Sequence, residues 1–125
     1  RKVICIDGDG ALIMHMGSLS TVGKLKPKNF YHILMNNQVH ESVGGQITSS
    51  KFIDIPVLVE ANGYANVFFT DNEEGLISQI ELFIQESGPN FLEVKIKPGS
   101  KEDLGRPMVK PIENKRAFMK LVQEK

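Results

Sequence analysis

Lys2-Val3-Ile4-Cys5-Ile6-Asp7-Gly8-Asp9-Gly10-Ala11 is the stretch on which the fold turns. After the lysine comes an unbroken apolar run to Ile6, the kind of strand that a parallel sheet buries on both faces. It stops abruptly at Asp7-Gly8-Asp9-Gly10. Beyond the glycines, Leu12, Ile13, Met16, Leu19 and Val22 recur at roughly 3.6-residue spacing, which predicts one helix entered through the turn and ended near Gly23. Strand, glycine-rich turn and helix together open an α/β unit.

The remainder of the chain repeats that alternation. Phe30 to Met35 reads as a second buried strand, ended by Asn36-Asn37. Residues 52–62 fit both periods: Ile53, Ile55, Val57 and Val59 alternate, while Phe52, Ile55, Leu58, Val59 and Asn62 share a helical face. Helix is preferred, with Asp54 as cap, Pro56 in the first turn and Gly63 as the stop. Asn66 to Thr70 predicts a strand. Glu73 to Glu86 predicts an amphipathic helix with Leu76, Ile77, Ile80, Phe83 and Ile84 inward. A strand follows at Phe91 to Ile96, then a Pro/Gly/Lys-rich surface connection from Lys97 to Pro111. The last helix, Glu113 to Val122, places Ala117, Phe118, Leu121 and Val122 on one face. The fold class is therefore α/β, a parallel sheet with helices on both faces, in one domain covering residues 1–125.

Composition excludes several classes of function. Fifteen Lys and Arg against fifteen Asp and Glu give a net charge of zero, which fits neither a globally basic nucleic-acid binder nor an acidic tail. Cys5 is the single cysteine, so there is no internal disulfide or cysteine-rich zinc site, and a cytoplasmic location is expected. The longest apolar runs fall far short of the roughly 20 residues that span a bilayer. Nothing near Arg1 reads as a signal peptide, since carboxylates follow the first short apolar run.

In an open parallel sheet, ligands sit beyond the carboxyl ends of the strands. Two polar clusters occupy that edge: Asp7-Gly8-Asp9-Gly10-Ala11, whose glycines admit a ligand close to the backbone, and Asn36-Asn37-Gln38-Val39-His40-Glu41. A carboxylate from Asp9 and a carboxamide from Asn37 are hard oxygen ligands. Such a pair suits Mg²⁺ holding a phosphate-bearing molecule, with positions left for a backbone carbonyl, phosphate oxygens and water.

Gly8-Asp9-Gly10, then 25 residues (11–35), then Asn36-Asn37 resembles the metal and diphosphate motif of thiamine-diphosphate-dependent enzymes. The longer strings IDGDGALIMHMGSLSTVG, NNQVHESVGGQ and GRPMVKPIENKRAFM resemble phosphonopyruvate decarboxylases and the related second subunit of sulfopyruvate decarboxylases. The resemblance extends over essentially the whole chain and implies a thiamine-diphosphate-binding fold. It implies that Asp9 and Asn37 bind Mg²⁺ through side chains and Val39 through its carbonyl. It further implies that the backbone around Gly8, Asp9, Gly10 and Ala11 holds the diphosphate, with the loop from Asn37 through His40 closing over it.

The implied activity is carbon–carbon lysis of a small 2-oxo acid, with 3-phosphonopyruvate yielding phosphonoacetaldehyde and CO₂. His40 and Glu41 are the candidates for moving protons or meeting substrate. In the family the pyrimidine ring is activated by a glutamate on a separate domain, and a bulky apolar residue upstream of the motif bends the cofactor. Neither is present here, because only seven residues precede Gly8. The resemblance thus implies a partner: a pyrimidine-binding domain, in the same or another chain, within a homo-oligomer. Neither nucleic acid nor membrane is an expected partner.

Other residues invite plainer readings. Asn36 braces the turn, and Gly44-Gly45-Gln46 is a flexible cover. His15 and the flanking Met14 and Met16 read as packing residues, and Cys5 as a buried small hydrophobe. Lys24, Lys26 and Lys28 form a solvated loop, and Arg106 lies on the surface. Ile6-Asp7-Gly8-Asp9-Gly10 also resembles the paired aspartates of haloacid-dehalogenase-type phosphatases, with Asp7 as nucleophile, but Ala11 stands where that pattern has threonine and nothing downstream completes it. A noncatalytic cofactor-binding module is the other alternative.

Overall fold

The computed structural model describes residues 1–124. Its strands are β1 (Val3–Gly8), β2 (Phe30–Asn36), the short β3 (Val39–His40) and β4 (Gln46–Ile47), β5 (Asn66–Thr70) and β6 (Asn90–Lys95). β1, β2, β5 and β6 form one parallel sheet in the order β1-β2-β6-β5, while β3 and β4 pair as a small antiparallel hairpin. The helices are α1 (Asp9–Met14), α2 (Gly17–Leu25), α3 (Ile55–Ala61), α4 (Glu73–Gln85) and α5 (Pro111–Gln123).

Helices cover both faces, as expected of an α/β sheet. α1, α2 and α3 enclose Leu12, Leu19, Leu34, Ile55, Val59, Tyr64 and Phe91 on one side. α4 closes the other side through Phe83, packed with Tyr31, Leu92 and Val94. Local chemistry sets the helix ends. Asp54 caps α3 by accepting from the Val57 N–H at 3.2 Å, Pro56 occupies the first turn, and Gly63 at φ +94° ends it. The helical alternative for residues 52–62 therefore holds, starting at Ile55. Asn72 caps α4 by accepting from the Gly75 N–H at 2.8 Å.

The predicted single helix is two. α1 ends at His15, whose N–H bonds to the carbonyls of Ala11 and Leu12, and α2 begins at Gly17. Periodicity could not reveal the break, because Leu12 and Leu19 both reach the same core from either side of it. Gly23 does not end a helix either. It lies buried inside α2, where a Cβ would fall 1.6 Å from the Asn62 carbonyl oxygen, so α2 and the end of α3 meet backbone to backbone. The helix stops instead at Lys26, which takes the left-handed conformation at φ +47°. His15 and Met14 are exposed rather than packed.

β1 is not buried on both faces. It pairs only with β2, and Val3, Ile4 and Ile6 are 51%, 56% and 70% exposed. Cys5, on the other face, is half-buried rather than enclosed. The inward set of α4 shrinks to Leu76, Ile80 and Phe83, with Ile77 and Ile84 exposed. α5 forms where predicted but buries none of its residues; the Arg1 guanidinium donates to the carbonyls of Leu121 and Glu124 at its end. Residues 97–110 are an exposed connection, Arg106 included. No helix among the described residues is long and apolar enough to cross a membrane.

Candidate metal and diphosphate site

Strand β1 delivers Gly8 to the carboxyl edge of the sheet, and the chain turns at once into α1, so Asp9 enters the interior as the first helical residue. Its carboxylate is 2% exposed. Oδ2 accepts from the Thr48 hydroxyl at 2.5 Å and from the Ser50 hydroxyl at 2.8 Å. Thr48 and Ser50 are themselves buried, and their oxygens lie 2.6 Å apart. Ser50 also reaches Asn36 Oδ1 at 3.2 Å, and Asn36 Nδ2 donates to Glu93 Oε1 at 2.6 Å. Lys95 Nζ completes the chain at 3.1 Å from the same Glu93 oxygen. One polar network thus ties together the carboxyl ends of β1, β2 and β6; Asp9, Thr48, Ser50, Asn36 and Glu93 are buried and each is partnered, as burial of polar atoms requires, and Lys95 closes the chain from a part-exposed position.

The second half of the site is a pair of side-chain turns. Gln38 N–H donates to Asn36 Oδ1 and Val39 N–H to Asn37 Oδ1, both at 3.1 Å. Gln38 takes a left-handed φ of +63°, and its carbonyl receives the Thr48 N–H at 2.9 Å. That bond joins the Asn36-Asn37 turn to the segment carrying Thr48 and Ser50. Asn36 braces the turn, as its position suggested.

Between the two halves lies a cavity of about 590 Å³. Gly8, Asp9, Gly10, Ala11, Asn37, Val39, His40 and Glu41 all line it, beside the apolar Met14, Met35, Val43 and Ile96. Every predicted site residue is therefore on one wall system. His40 lays its imidazole directly on Gly10, where a Cβ would approach Nδ1 to 2.5 Å and Cε1 to 2.6 Å. Glu41 Oε2 accepts from Asn37 Nδ2 at 2.8 Å, and Glu41 Oε1 accepts from the Gly99 N–H. Gly44 and Gly45, at φ +114° and +76°, form the tip between β3 and β4, and the Gly45 N–H bonds back to the His40 carbonyl.

The donor set suits a small hard cation. It offers one carboxylate, one carboxamide and one backbone carbonyl, all oxygen; among the described residues no cluster of three or more His, Cys, Asp or Glu could hold a metal by itself. Mg²⁺ is commonly bound in this way, by one or two carboxylates plus phosphate oxygens and water.

Asp7 belongs to a different environment. Its Oδ2 sits 3.6 Å from His32 Nε2, on the β1 face that also carries Cys5, and it is absent from the cavity wall. His32 Nδ1 lies 3.3 Å from the Tyr64 hydroxyl, and Nε2 is buried without a hydrogen bond. Burial lowers the His32 pKa, with Asp7 opposing. Burial raises the Cys5 thiol, the Asp7 charge adding to it, and burial likewise pushes Tyr64 far up. Asp7 and Asp9 thus face different surroundings, which removes the geometry that paired phosphatase aspartates need.

Sequence reasoning missed Thr48, Ser50, Glu93 and Lys95. A charged residue inside an apolar strand, as in Phe91-Leu92-Glu93-Val94, was the available signal for Glu93. Thr48-Ser49-Ser50 carried none, because hydroxyls are ordinary in loops.

Residues 1–94 match the family described as thiamine pyrophosphate enzyme, C-terminal TPP binding domain. A phosphonopyruvate decarboxylase of Streptomyces viridochromogenes is 39% identical over 98% of this chain and 31% of its own length. A sulfopyruvate decarboxylase subunit beta of Methanococcus maripaludis is 36% identical over 99% of this chain and 66% of its own length. The chain spans about a third of the Streptomyces relative. In fold it is similar to a Mycobacterium smegmatis protein provisionally assigned as a thiamin diphosphate-dependent enzyme, with TM-score 0.65 at 20% identity over 79% of this chain and 18% of that one. A glycine turn with a buried aspartate, a facing asparagine turn and a match over three quarters of the length agree: the chain belongs to the C-terminal TPP-binding domains of thiamine pyrophosphate enzymes.

Proposed function

We propose that this chain supplies the metal and diphosphate half of a 2-oxo acid decarboxylase site, with 3-phosphonopyruvate as substrate and phosphonoacetaldehyde and CO₂ as products. The observation that carries the reading is the convergence of Asp9, Asn37, Val39 and the Gly8–Ala11 backbone on one cavity. Asp9 and Asn37 would hold Mg²⁺ by side-chain oxygens and Val39 by its carbonyl. Gly8 leaves the backbone open to a diphosphate and Ala11 adds only a methyl, while the missing side chain of Gly10 makes room for the His40 imidazole. Thiamine diphosphate, when bound, supplies the electron sink that makes loss of CO₂ feasible.

This chain's own residues bind and orient. Thr48 and Ser50 fix the Asp9 carboxylate, leaving Oδ1 for the cation. His40, resting on Gly10, is the cavity's imidazole and the candidate for proton movement, with Glu41 adjacent. Met14, Met35, Val43 and Ile96 give the cavity its apolar lining. The exposed apolar edge of β1 and the bare apolar face of α5 support a further body packed here. We assign that role to a pyrimidine-binding domain of the same or another chain, in a homo-oligomer located in the cytoplasm. The substrate's names come from the relatives: phosphonopyruvate from the Streptomyces proteins, sulfopyruvate from the archaeal subunits.

The experiment is calorimetric titration of the full-length protein with thiamine diphosphate, with and without Mg²⁺, followed by assay of CO₂ release from both acids. Mg²⁺-dependent binding that Asp9→Ala and Asn37→Ala each weaken at least about 10-fold is expected, since each removes a ligand oxygen. Binding indifferent to Mg²⁺, or retained in both variants, refutes the site. Faster turnover of sulfopyruvate would shift the assignment to that substrate.

A further inference from the structure

Glu41 stands between two parts of the molecule that the sheet does not itself connect. Its Oε2 accepts from Asn37 Nδ2 at 2.8 Å, and its Oε1 accepts from the backbone N–H of Gly99. The first bond, together with the Val39 N–H, sets which way the Asn37 carboxamide faces. Asn37 Oδ1 accepts from the Val39 N–H; a reversed amide would set Nδ2 against that N–H and Oδ1 against the Glu41 carboxylate, opposing donor to donor and acceptor to acceptor. With Glu41 in place, the oxygen is held to the metal side and keeps a second lone pair for a cation.

The second bond reaches the connection after β6. That connection is tethered at its start by the Ile96 N–H to the Asn36 carbonyl at 3.0 Å, and Ile96 forms part of the cavity wall. Gly99 follows in the left-handed region at φ +123°, a backbone conformation that favours glycine and aims its N–H at Glu41. The rest of 97–110 is exposed, so the Glu41 bond is the outermost polar tie of this segment to the cavity rim.

We propose that Glu41 is a positioning residue that couples metal binding at Asn37 to docking of the 97–110 segment on the cavity rim. It acts through Asn37 and Gly99 and does not itself touch a reacting atom. The proposal rests on Asn37 being a metal ligand. Coupling of this kind is reciprocal: whatever fixes Asn37 must also favour the docked segment.

The test is Glu41→Gln in the full-length protein. A glutamine offers one acceptor oxygen where the carboxylate offers two, and its NH₂ cannot accept from Gly99 or Asn37. Two measurements are made: Mg²⁺ affinity at saturating thiamine diphosphate by calorimetry, and amide hydrogen exchange at Gly99 with and without Mg²⁺ and thiamine diphosphate. In the unsubstituted protein, the loaded state should slow Gly99 exchange. In Glu41→Gln, Mg²⁺ affinity should fall about 10- to 100-fold, the range seen when groups supporting a metal ligand are removed. Gly99 exchange should also speed up and no longer respond to loading. Because the glutamine oxygen can keep one of the two bonds, the response to loading is decisive: Gly99 exchange in Glu41→Gln that still slows on loading as it does in the unsubstituted protein overturns the coupling. If the unsubstituted protein binds no Mg²⁺ with thiamine diphosphate, the functional reading fails and the metal half of this proposal with it; the tie to Gly99 is still judged by exchange in the metal-free proteins.

Discussion

Replacing Thr48 by valine isolates the hydrogen bonds that hold Asp9, because valine keeps the shape of threonine and removes only the hydroxyl. The Thr48 and Ser50 hydroxyls carry two hydrogens between them, and face Asp9 Oδ2, Asn36 Oδ1 and each other's oxygen. Without Thr48, the one remaining hydroxyl hydrogen must choose between Asp9 Oδ2 and Asn36 Oδ1; Asn36 Oδ1 keeps the Gln38 N–H in either case, so the network loses one hydrogen bond, on the Asp9 carboxylate or on Asn36. A hydrogen bond to a charged group contributes about 1.5–3 kcal/mol, and no cavity is opened, so the expected loss is about 2 kcal/mol. With a urea slope near 2 kcal/mol/M, the unfolding midpoint falls by about 1 M at unchanged slope. Mg²⁺ affinity should fall as well, since the carboxylate is no longer oriented. A midpoint shift below about 0.25 M, the size of a neutral surface change, would show that the network does not hold Asp9.

Two further perturbations test the fold around the site. Gly23→Ala should gain about 1 kcal/mol from helix propensity if α2 were free, yet the new Cβ would lie 1.6 Å from the Asn62 carbonyl oxygen and 2.7 Å from its carbon. Backbone must move, so a net loss of about 3 kcal/mol or more is expected in urea unfolding, and a stabilised variant would contradict the close approach of α2 to α3. His32 governs a pH dependence. Burial depresses its folded-state pKa below the unfolded value of about 6.5, so the unfolded chain binds more protons in between. Its share of stability is complete above about pH 6.5 and is lost as the pH falls through the folded value. Asp7, Tyr64 and Cys5 are the titratable neighbours, and His32→Phe should flatten the unfolding profile below pH 6.5; an unaltered profile would place the acid sensitivity elsewhere.

The site was legible because its chemistry is carried by short strings at strand ends. Asp9, Asn37, Val39 and His40 had to meet once β1 and β2 were recognised as adjacent parallel strands, since a parallel pair brings both carboxyl ends to the same edge. The support for Asp9 was not legible. Thr48 and Ser50 are about 40 residues away in the chain and arrive through the β3–β4 hairpin, whose two-residue strands are too short to leave a periodic trace. The helix break at His15 escaped for the related reason that period-3.6 reading senses which face is buried and not whether the axis is continuous.

Where pattern and exposure disagree, the disagreement has one direction. Among the apolar residues, Ile4, Ile6, Ile77, Ile84, Phe118, Leu121 and Val122 were all expected inward and all stand exposed, whereas the lysines and Arg106 expected at the surface are there. Random error in reading periods would fall both ways. A one-sided excess of bare apolar faces fits the proposed docking of a further body. On β1, Ile4 and Ile6 share the face that α4 covers for β2 and β6 but does not reach at the edge. Covering each would contribute about 1–2 kcal/mol, since they are already part-shielded. A second body seated along β1 would close the sheet edge beside Gly8, which lines the cavity, and so under the proposed function the contact that completes the core would lie next to the ligand site.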